Sequence, residues 1–296
     1  MSLTDPVRKI ALVTGANKGL GFEIALKLSQ KNFKVIMADK DNQTQSKDKI
    51  ICQSNNDDIH TYNLDLASFE SVKNFVKQFS SDLNKLDVLI NNAGIFCMKK
   101  KKTVDCLDGV MQVNHLSSFL LTTLLEDKLK ASGNSRIVFI TSNGSMAHRM
   151  SVEKLKTPDY FTPHFISGAI HYYNTKLCNM ISSKGFSEKL KDFNITSNCV
   201  HPDMMNTTFL TANHCGDTGF FSKIEYSVAK CIVQSVTKDV KQCVDGVCFL
   251  ATSNRIKNVT GKYFYNYQLH SEPKILENEQ FCNDIWNETE KLTGLK

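Results

Sequence analysis

The residues most able to do chemistry in this sequence are a tyrosine and a lysine four positions apart, Tyr172 and Lys176. Positions i and i+4 lie on one face of a helix, so the ammonium can stabilise a phenolate and draw the tyrosine pKa down from about 10. Such a phenol can give a proton to a carbonyl oxygen or take one from an alcohol. Tyr173 is also within helical reach of Lys176, so spacing alone leaves two candidates.

A glycine-rich turn near the start of the chain could hold a phosphate group. Thr14 to Gly21 reads TGANKGLG and follows the apolar run at 10–14. Glycines let the backbone turn tightly and approach a pyrophosphate, whose charge is met by N–H groups at the start of the next helix. The GxxxGxG spacing differs from GxGxxG and argues against a two-domain dehydrogenase. A plain glycine turn is the alternative for this motif taken alone.

Apolar runs typical of buried strands alternate with helical patterns along the whole chain. This order predicts an α/β fold, a single doubly wound Rossmann domain over 1–296 with a seven-stranded, mostly parallel sheet and helices on both faces. The polar stretch at 40–56 could hold a short helix, but it is only weakly patterned. The predicted strands are 10–14, 34–38, 59–62, 86–90, 136–141, 195–200 and 261–264, and the predicted helices are 19–30, 68–83, 105–131, 170–190 and 226–236.

Polar residues follow the predicted strands, where a doubly wound sheet binds its ligands. The glycine turn follows the first strand, and each later strand through the sixth also ends in a polar group. Because these ends meet at one edge of a parallel sheet, we expect the groups to converge. They are Asp39, Asp65, Asn91 to Gly94, Thr141 with Ser142, and His201 with Pro202.

Three motifs together resemble the motif set of the short-chain dehydrogenase/reductases: Thr14 to Gly21, Asn91 to Gly94, and Tyr172 with Lys176. The resemblance spans nearly the whole chain and is closest to the retinol dehydrogenase branch. It implies hydride transfer between NAD(P) and an alcohol or carbonyl. The closer similarity depends on four further segments, Val113 to Leu116, Phe119 to Thr122, Ser135 to Val138, and Val259 to Phe264.

The resemblance also implies a role for each catalytic candidate. The YxxxK register selects Tyr172 as the proton donor or acceptor, and Lys176 as the cation that tunes it and holds the nicotinamide ribose. Ser142 would hydrogen-bond the substrate oxygen. Asn114 resembles the family asparagine that anchors a water chain to the lysine. The structural alternatives are that Ser142 caps a strand end and that Asn114 kinks a helix.

The choice of cofactor depends on the end of the second strand. A carboxylate at Asp39 can accept both ribose hydroxyls and repel a 2′-phosphate, which favours NAD. Lys18 and Lys40 could instead hold that phosphate and favour NADP, so NAD is preferred by a small margin. Asp65 and Leu66 are expected to flank the adenine. The complete predicted cofactor set is Gly15, Asn17, Lys18, Gly19, Leu20, Gly21, Asp39, Lys40, Asp65, Leu66, Asn91, Ala93, Gly94, Tyr172, Lys176, Pro202 and Thr207.

The sequence departs from the family pattern after the sixth predicted strand. Pro202 is followed by Asp203, where the family has glycine, and Thr207 lies where the family threonine contacts the carboxamide. A carboxylate at this point could alter how the cofactor sits or could point to solvent. The second interpretation is the simpler one.

Two segments, about 143–169 and 203–224, are expected to cover the substrate. Their apolar side chains could line a pocket for a retinoid-like or steroid-like molecule, or pack as satellite core beneath the loops. Composition does not separate these two interpretations. The side chains are Met146, Met150, Leu155, Tyr160, Phe161, Phe165, Phe209, Leu210, Phe220 and Phe221.

Composition narrows the function classes. The net charge of +6 is modest. The lysine run at 99–102 is interpreted as a solvated loop, in preference to a nucleic-acid or membrane contact. The 10 cysteines show no CxxC spacing, which predicts no metal site and a reducing, cytoplasmic location. No apolar run is long enough to span a membrane.

Two questions stay open on the sequence alone. The chain could be a catalytically weak nucleotide-binding protein with a regulatory or scaffolding role, although all four catalytic residue types are present. It could also form a homodimer through its long helices. Phe119, Leu120, Leu124 and Leu125 could serve that interface or face the sheet.

Overall fold

Eight strands of the described residues form one sheet, and the predicted site lies at one edge of it. A computed structural model describes residues 8–96, 101–159, 164–203 and 240–296. The strands run in the order 3-2-1-4-5-6-7-8, all parallel except the last. They are β1 (Ile10–Thr14), β2 (Lys34–Asp39), β3 (Ile59–Asn63), β4 (Val88–Asn91), β5 (Arg136–Ile140), β6 (Thr196–His201), β7 (Tyr263–Tyr265) and β8 (Gln268–Leu269).

Helices cover both faces of this sheet and bury two apolar layers. The helices are α1 (Gly19–Gln30), α2 (Thr44–Ser54), α3 (Phe69–Asp82), α4 (Gly109–Met111), a π-helix (Gln112–Leu116), α5 (Ser117–Leu124), α6 (Glu126–Ser132), α7 (His164–Lys189), α8 (Val240–Thr252) and α9 (Glu279–Leu292). Helices α1, α2 and α8 pack on one face, and α3, α5 and α7 on the other. Within the described ranges, none of the helices has the length and apolarity required to cross a bilayer.

The predicted fold class is confirmed, with one strand more than expected. Strand β8 has two residues, both exposed, and pairs antiparallel with β7. A strand this short carries no period-two pattern, so the sequence could not reveal it. Helix α2 also lacks a clear apolar pattern in the sequence, because Ile50 is its one fully buried residue. The helix expected at 226–236 lies outside the described residues.

The single helix expected over 105–131 is wrong, because this stretch forms several shorter pieces. It starts at Asp108, whose side chain accepts hydrogen bonds from the N–H groups of Val110 and Met111. Leu125 leaves the helical conformation at φ −94° and ψ 3° and separates α5 from α6. The apolar periodicity continues through the π-helix and through Leu125, so the hydrophobic pattern alone predicts one continuous helix.

Helix α9 packs against α5 and α7, on the helix face through which the sequence suggested that a homodimer could form. The Trp286 ring lies 4.6 Å from that of Phe119 and 5.1 Å from that of Phe186, measured between centroids. A methyl group on Gly185 would lie 2.3 Å from the Trp286 ring, so this glycine permits the close contact. Phe119, Leu120 and Leu125 are buried inside the monomer, and Leu124 packs against the same core.

Candidate active site

The glycine turn after β1 can form only with glycine at its key positions. Gly15 and Gly19 have φ values of +66° and +59°, in the left-handed region that favours glycine. The Gly15 N–H donates to the Ala38 carbonyl at 2.8 Å and joins the turn to the end of β2. A methyl group on Gly21 would lie 2.1 Å from the Gly15 carbonyl oxygen. The turn therefore presents bare backbone at the carboxyl edge of the sheet.

Two residues that sequence reasoning missed hold this turn against the end of β4. The Thr14 hydroxyl accepts hydrogen bonds from the N–H groups of Asn92 and Ala93 at 3.1 and 3.0 Å. The Asn92 amide donates to the Thr14 carbonyl at 2.7 Å and to the Gly15 carbonyl at 3.3 Å. Thr14 lies inside the Thr14–Gly21 motif and Asn92 inside the Asn91–Gly94 motif, and this position next to predicted site residues is the signal that could have identified them. They act by positioning the turn.

The start of α1 fits an anionic group. The side chain of Lys18, the residue before the helix, makes no capping bond, and the first turn has no acidic residue. The helix dipole and open N–H groups at such an end favour a negative charge. Leu20 is buried beneath the turn. The Asn17 carbonyl accepts a bond from the Ser46 hydroxyl at 2.7 Å, which connects the turn to α2.

Asp39 at the end of β2 is fixed by backbone donors. Its carboxylate accepts from the N–H of Asn17 and from the N–H of Asp41, both at 3.2 Å. The Lys18 ammonium lies 3.9 Å from the Asp41 carboxylate, and Lys40 is exposed. A negative charge therefore lies where an adenosine ribose would sit, with two lysines nearby.

The side chains predicted near the adenine and its ribose differ in what they contact. The Asp65 carboxylate accepts from the Ala67 N–H at 2.9 Å, and the buried Leu66 accepts a bond at its carbonyl from the Ser117 hydroxyl. Asn91 is only 2% exposed, and its amide donates to the Thr122 hydroxyl at 3.0 Å. The Asn91 side chain thus contacts α5 instead of an open groove.

Lys176 is buried at the junction of α7 with β4 and β5. Its side chain is 2% exposed, and its ammonium donates to the Ile140 carbonyl at 3.0 Å. The Thr141 hydroxyl donates to the Lys176 carbonyl at 2.9 Å, which fixes the helix against the end of β5. A methyl group on Gly94 would lie 3.4 Å from the ammonium. Burial lowers the pKa of Lys176 to about 8.

Tyr172 lies over this lysine. The Lys176 ammonium is 5.4 Å from the centre of the Tyr172 ring, and the Phe96 ring meets it edge-on at 6.1 Å. Burial, followed by the neighbouring Tyr173, raises the pKa of Tyr172 above its ordinary value. This direction is opposite to the expected lowering of the tyrosine pKa, because desolvation of the buried phenol disfavours its charged form.

The competition between the two tyrosines is decided by Gly144. A methyl group at this glycine would lie 2.1 Å from the Tyr173 ring, so that ring packs directly on the turn after β5. The Tyr172 ring instead lies beside Lys176. This packing favours Tyr172 over Tyr173 as the partner of the lysine, which is also the choice that the YxxxK register predicts.

Ser142 follows β5 and begins a short 3-10 helix, Asn143–Ala147. Its hydroxyl oxygen accepts from the Gly144 N–H at 3.2 Å. This is the capping bond considered as the structural alternative. It uses one lone pair, so the hydroxyl hydrogen can still be donated to a substrate oxygen. Ser142 is half-buried, which leaves one side of it accessible.

Asn114 lies in the π-helix and ties three segments together. Its side chain accepts from the Ile95 N–H at 2.7 Å and donates to the Ile95 carbonyl at 2.9 Å. The same amide donates to the Thr175 hydroxyl at 3.1 Å. A methyl group on Gly94 would lie 3.4 Å from its oxygen. The π-helical turn, a frequent feature of functional sites, directs this side chain between β4 and α7.

The end of β6 explains why glycine suits the position after Pro202. Asp203 has φ +83°, in the region where residues with a Cβ are strained, and the Asn266 amide lies 3.5 Å from its carboxylate. Thr207 and the segment 204–224 lie outside the described residues.

The first covering segment divides between core and surface. Met150 and Leu155 are buried in the core, as the satellite-core interpretation predicts. Met146 in the 3-10 helix after Ser142 and Ile166 in the first turn of α7 are 40% and 48% exposed, as a lipophilic substrate would require. The side chains of Tyr160, Phe161, Phe165, Phe209, Leu210, Phe220 and Phe221 are outside the described residues.

Comparison with known proteins settles the family. The sequence profile of the short chain dehydrogenase family matches residues 9–153. Human retinol dehydrogenase 13 is 31% identical over 97% of this chain and 85% of its own. The chain belongs to the short-chain dehydrogenase family. Short-chain dehydrogenase TIC 32 A, chloroplastic, from Brassica napus is 30% identical over 97% of this chain and 89% of its own.

Solved structures of the family share the fold. Levodione reductase superposes with a TM-score of 0.68 over 87% of this chain and 95% of its own, at 15% identity. That identity supports the architecture alone. The resemblance to the retinol dehydrogenase branch is confirmed by the retinol dehydrogenase relatives, which include mouse retinol dehydrogenase 11 at 30% identity over 97% of this chain and 87% of its own.

In this short-chain dehydrogenase we expect Gly21→Ala to weaken NAD(P) binding at least about tenfold and to destabilise the fold by about 1–3 kcal/mol. The added methyl would lie 2.1 Å from the Gly15 carbonyl oxygen and 2.6 Å from the Asn92 amide, so the turn must move. Cofactor titration and thermal unfolding measure both effects.

Gly133→Ala is the matched control for Gly21→Ala. Gly133 has φ +74° and nothing within 4 Å of an added methyl, so it bears a backbone cost of about 1–2 kcal/mol without a collision. We expect its cofactor affinity to stay at the wild-type value. Wild-type affinity in Gly21→Ala would contradict the assignment of the turn.

A cavity of about 320 Å³ lies at the opposite, amino edge of the sheet. Lys9, Lys31 and Arg136 line it together with Asp87. Arg136 donates to the Leu250 carbonyl at 2.9 Å in the last turn of α8, and Lys31 follows the last turn of α1. Cations stabilise the carbonyl ends of helices, so Arg136 and Lys31 have a structural explanation, and the cavity is separate from the site above.

Proposed function

We propose that this chain catalyses hydride transfer between NAD(P) and a primary or secondary alcohol, or the matching carbonyl, of a lipophilic molecule such as a retinoid or steroid. One observation carries the proposal: the buried Lys176 ammonium lies 5.4 Å from the Tyr172 ring centre, at the same sheet edge as the glycine turn. Burying an ammonium costs stability. A cation retained there beside a phenol suits proton transfer.

The chain's own residues supply the proton and orient the substrate. With its pKa raised, Tyr172 stays protonated near neutral pH and can donate to a carbonyl oxygen. The phenolic O–H bond breaks as the new O–H bond forms on the substrate, and Lys176 stabilises the phenolate that remains. Ser142 donates to the same oxygen and stabilises its developing charge. Alcohol oxidation runs these transfers in reverse.

The nicotinamide cofactor, when bound, supplies or accepts the hydride. The glycine turn and the start of α1 would hold the pyrophosphate, because bare backbone and uncapped N–H groups meet there. Asp39 would accept the adenosine ribose hydroxyls, so we propose NAD over NADP. Asp65 and Leu66 would flank the adenine. The remaining proposed contacts are Gly15, Asn17, Lys18, Gly19, Leu20, Gly21, Lys40, Asn91 through its backbone, Ala93, Gly94, Tyr172, Lys176, Pro202 and Thr207.

The setting of the enzyme is proposed from further observations. We take 1–296 as one nucleotide-binding domain, since all eight strands of the described ranges join one sheet. Six of the described cysteines, Cys52, Cys106, Cys178, Cys199, Cys248 and Cys282, are free thiols, which supports a reducing compartment such as the cytoplasm. A homodimer would need a surface other than the α5 and α7 face, because α9 covers it.

A catalytically weak nucleotide-binding or scaffolding protein of the same fold is the second candidate. No observation favours it, and the presence of all four proposed catalytic residues, Tyr172, Lys176, Ser142 and Asn114, supports the first candidate. A screen of hydrophobic carbonyls and alcohols with NADH, NADPH and their oxidised forms in parallel, followed by nicotinamide absorbance, tests the proposal. Turnover of a retinoid or steroid carbonyl is the expected result. Cofactor binding without turnover on any compound would favour the scaffold.

We expect Asp39→Asn to shift cofactor preference toward NADPH by about tenfold in the ratio of kcat/KM values, because removing one charge at close range changes binding by about 1.4 kcal/mol. The asparagine oxygen can still accept one of the two backbone bonds. Steady-state kinetics with both cofactors measure the ratio.

Asp41→Asn is the control for the charge at this corner. Asp41 lies beside Asp39, and its side chain is half exposed. Solvent screens such a charge, so the ratio should change by less than about threefold. Equal shifts in the two variants would show that Asp39 has no direct contact with the ribose.

A further inference from the structure

Two contacts join α7 to the α4 and π-helix segment on either side of Tyr172. His171 and Asp108 form the first, with 2.7 Å between Nε2 and Oδ1. Both side chains are buried, at 1% and 0% exposure. Asn114 forms the second, donating to the Thr175 hydroxyl at 3.1 Å. The turn of α7 that carries Tyr172 is thus held before and after this residue.

The spacing of these contacts restrains the rotation of α7. His171 and Thr175 are i and i+4, so they lie on one helix face, and Tyr172 and Lys176 lie on the adjacent face. Four residues of helix span about 6 Å. Two bonds about 6 Å apart along the axis oppose both sliding and rotation of the helix.

Both anchors are themselves fixed. The Asp108 oxygen that meets His171 also accepts from the N–H groups of Val110 and Met111, each at 3.0 Å. The Thr175 hydroxyl donates to the Tyr172 carbonyl at 2.7 Å. The first contact therefore connects Tyr172 to a helix start, and the second connects it to the site of Asn114.

We propose that His171 and Asp108 are a positioning pair that sets the orientation of the Tyr172 phenol. The proposal rests on the proposed function, and neither residue belongs to the motifs that identified the family. The phenol oxygen lies at least about 5 Å from the helix axis, so a rotation of about 10° moves it by about 1 Å. A displacement of that size can lower a rate by about 10²-fold.

The test compares His171→Leu with His171→Gln. The leucine cannot bond to Asp108, and we expect kcat to fall about 10- to 100-fold while the cofactor Kd stays within about twofold. Glutamine can place a donor near the Nε2 position, so its kcat should recover to within about threefold of wild type. Hydrogen exchange of the peptide that carries Tyr172 should be faster in His171→Leu. If that variant fails to fold, His171→Ser, which leaves room for water, replaces it with the same expected fall.

Thr289→Val is the matched control. It removes a buried 2.9 Å contact between Thr289, on α9, and His115, which lies in the same π-helix as Asn114. It should lower stability by about 1 kcal/mol and leave kcat unchanged.

A folded His171→Leu enzyme with kcat within about threefold of wild type would overturn the proposal. If wild type itself turns over no substrate, the proposed function fails, and hydrogen exchange alone decides the pair. Unchanged exchange at Tyr172 would then overturn it.

Discussion

Tyr172→Phe is expected to lower kcat/KM by about 10³-fold with little change in cofactor affinity, because it deletes the hydroxyl that transfers the proton. The ring itself stays in place against Phe96 and above Lys176. The Tyr172 side chain is partly buried, and phenylalanine keeps its ring, so the deletion should not harm folding. Single-turnover kinetics at saturating cofactor separate the chemical step from binding.

Tyr173→Phe is the control that shares the neighbouring position and the same chemistry. Its ring packs on Gly144, a contact that phenylalanine preserves. Activity should stay within about threefold of wild type, since a surface or packing hydroxyl contributes about 1 kcal/mol or less. Equal losses in both variants, or turnover in Tyr172→Phe within tenfold of wild type, would reject the assignment.

Lys176→Met is expected to lower activity by about 10²- to 10⁴-fold and at the same time to raise the melting temperature. Burial lowers the pKa of Lys176 from its ordinary 10.5 to about 8, which corresponds to about 3 kcal/mol of destabilisation at pH 7. Methionine removes that cost and loses the bond to the Ile140 carbonyl, worth about 1 kcal/mol. The net gain should be about 1–3 kcal/mol. Thermal unfolding of the protein without cofactor measures it.

The stability that Lys176→Met gains over wild type should decrease as the pH rises. The folded pKa of Lys176, about 8, lies below the unfolded value of 10.5, so between these pH values the unfolded chain binds more protons. Wild-type stability therefore rises with pH across this window relative to Lys176→Met. The difference in melting temperature should be largest below pH 8 and shrink toward pH 10.5.

Lys184→Met is the matched control on the same helix. The Lys184 ammonium also donates to a backbone carbonyl, that of Leu276 at 3.0 Å, but it is only partly buried. Its replacement should not stabilise the protein and should leave activity unchanged. A lower melting temperature for Lys176→Met than for wild type at pH 7 would contradict the buried-cation interpretation.

Local pattern was sufficient where a residue's role depends on its own element. The strand β1, the helix α1 and the glycines of the turn follow from short-range sequence, because φ values above zero and buried apolar runs are properties of a few adjacent residues. The supporting roles of Thr14 and Asn92 were not visible, because their hydrogen bonds join residues 78 positions apart. Such contacts exist only once β1 and β4 are neighbours.

The direction of the tyrosine pKa shift also required the assembled site. Spacing shows that Lys176 can reach Tyr172, and it suggests a lowered pKa. Burial of the phenol, which raises the pKa, depends on Phe96 and the packing around α7. Desolvation is a property of everything packed around a group, so no local pattern could reveal which effect is larger.

The sequence by itself determined the family and the doubly wound sheet, and it predicted the edge at which Tyr172, Lys176 and Ser142 would meet, because motif order and strand-end position are encoded along the chain. The tertiary structure alone decided where the two tyrosine rings pack, with Tyr173 against Gly144 and Tyr172 beside Lys176. It also placed α9 over the helix face that a dimer could have used. Both decisions depend on side chains from distant segments competing for the same space, which close packing resolves in only one way.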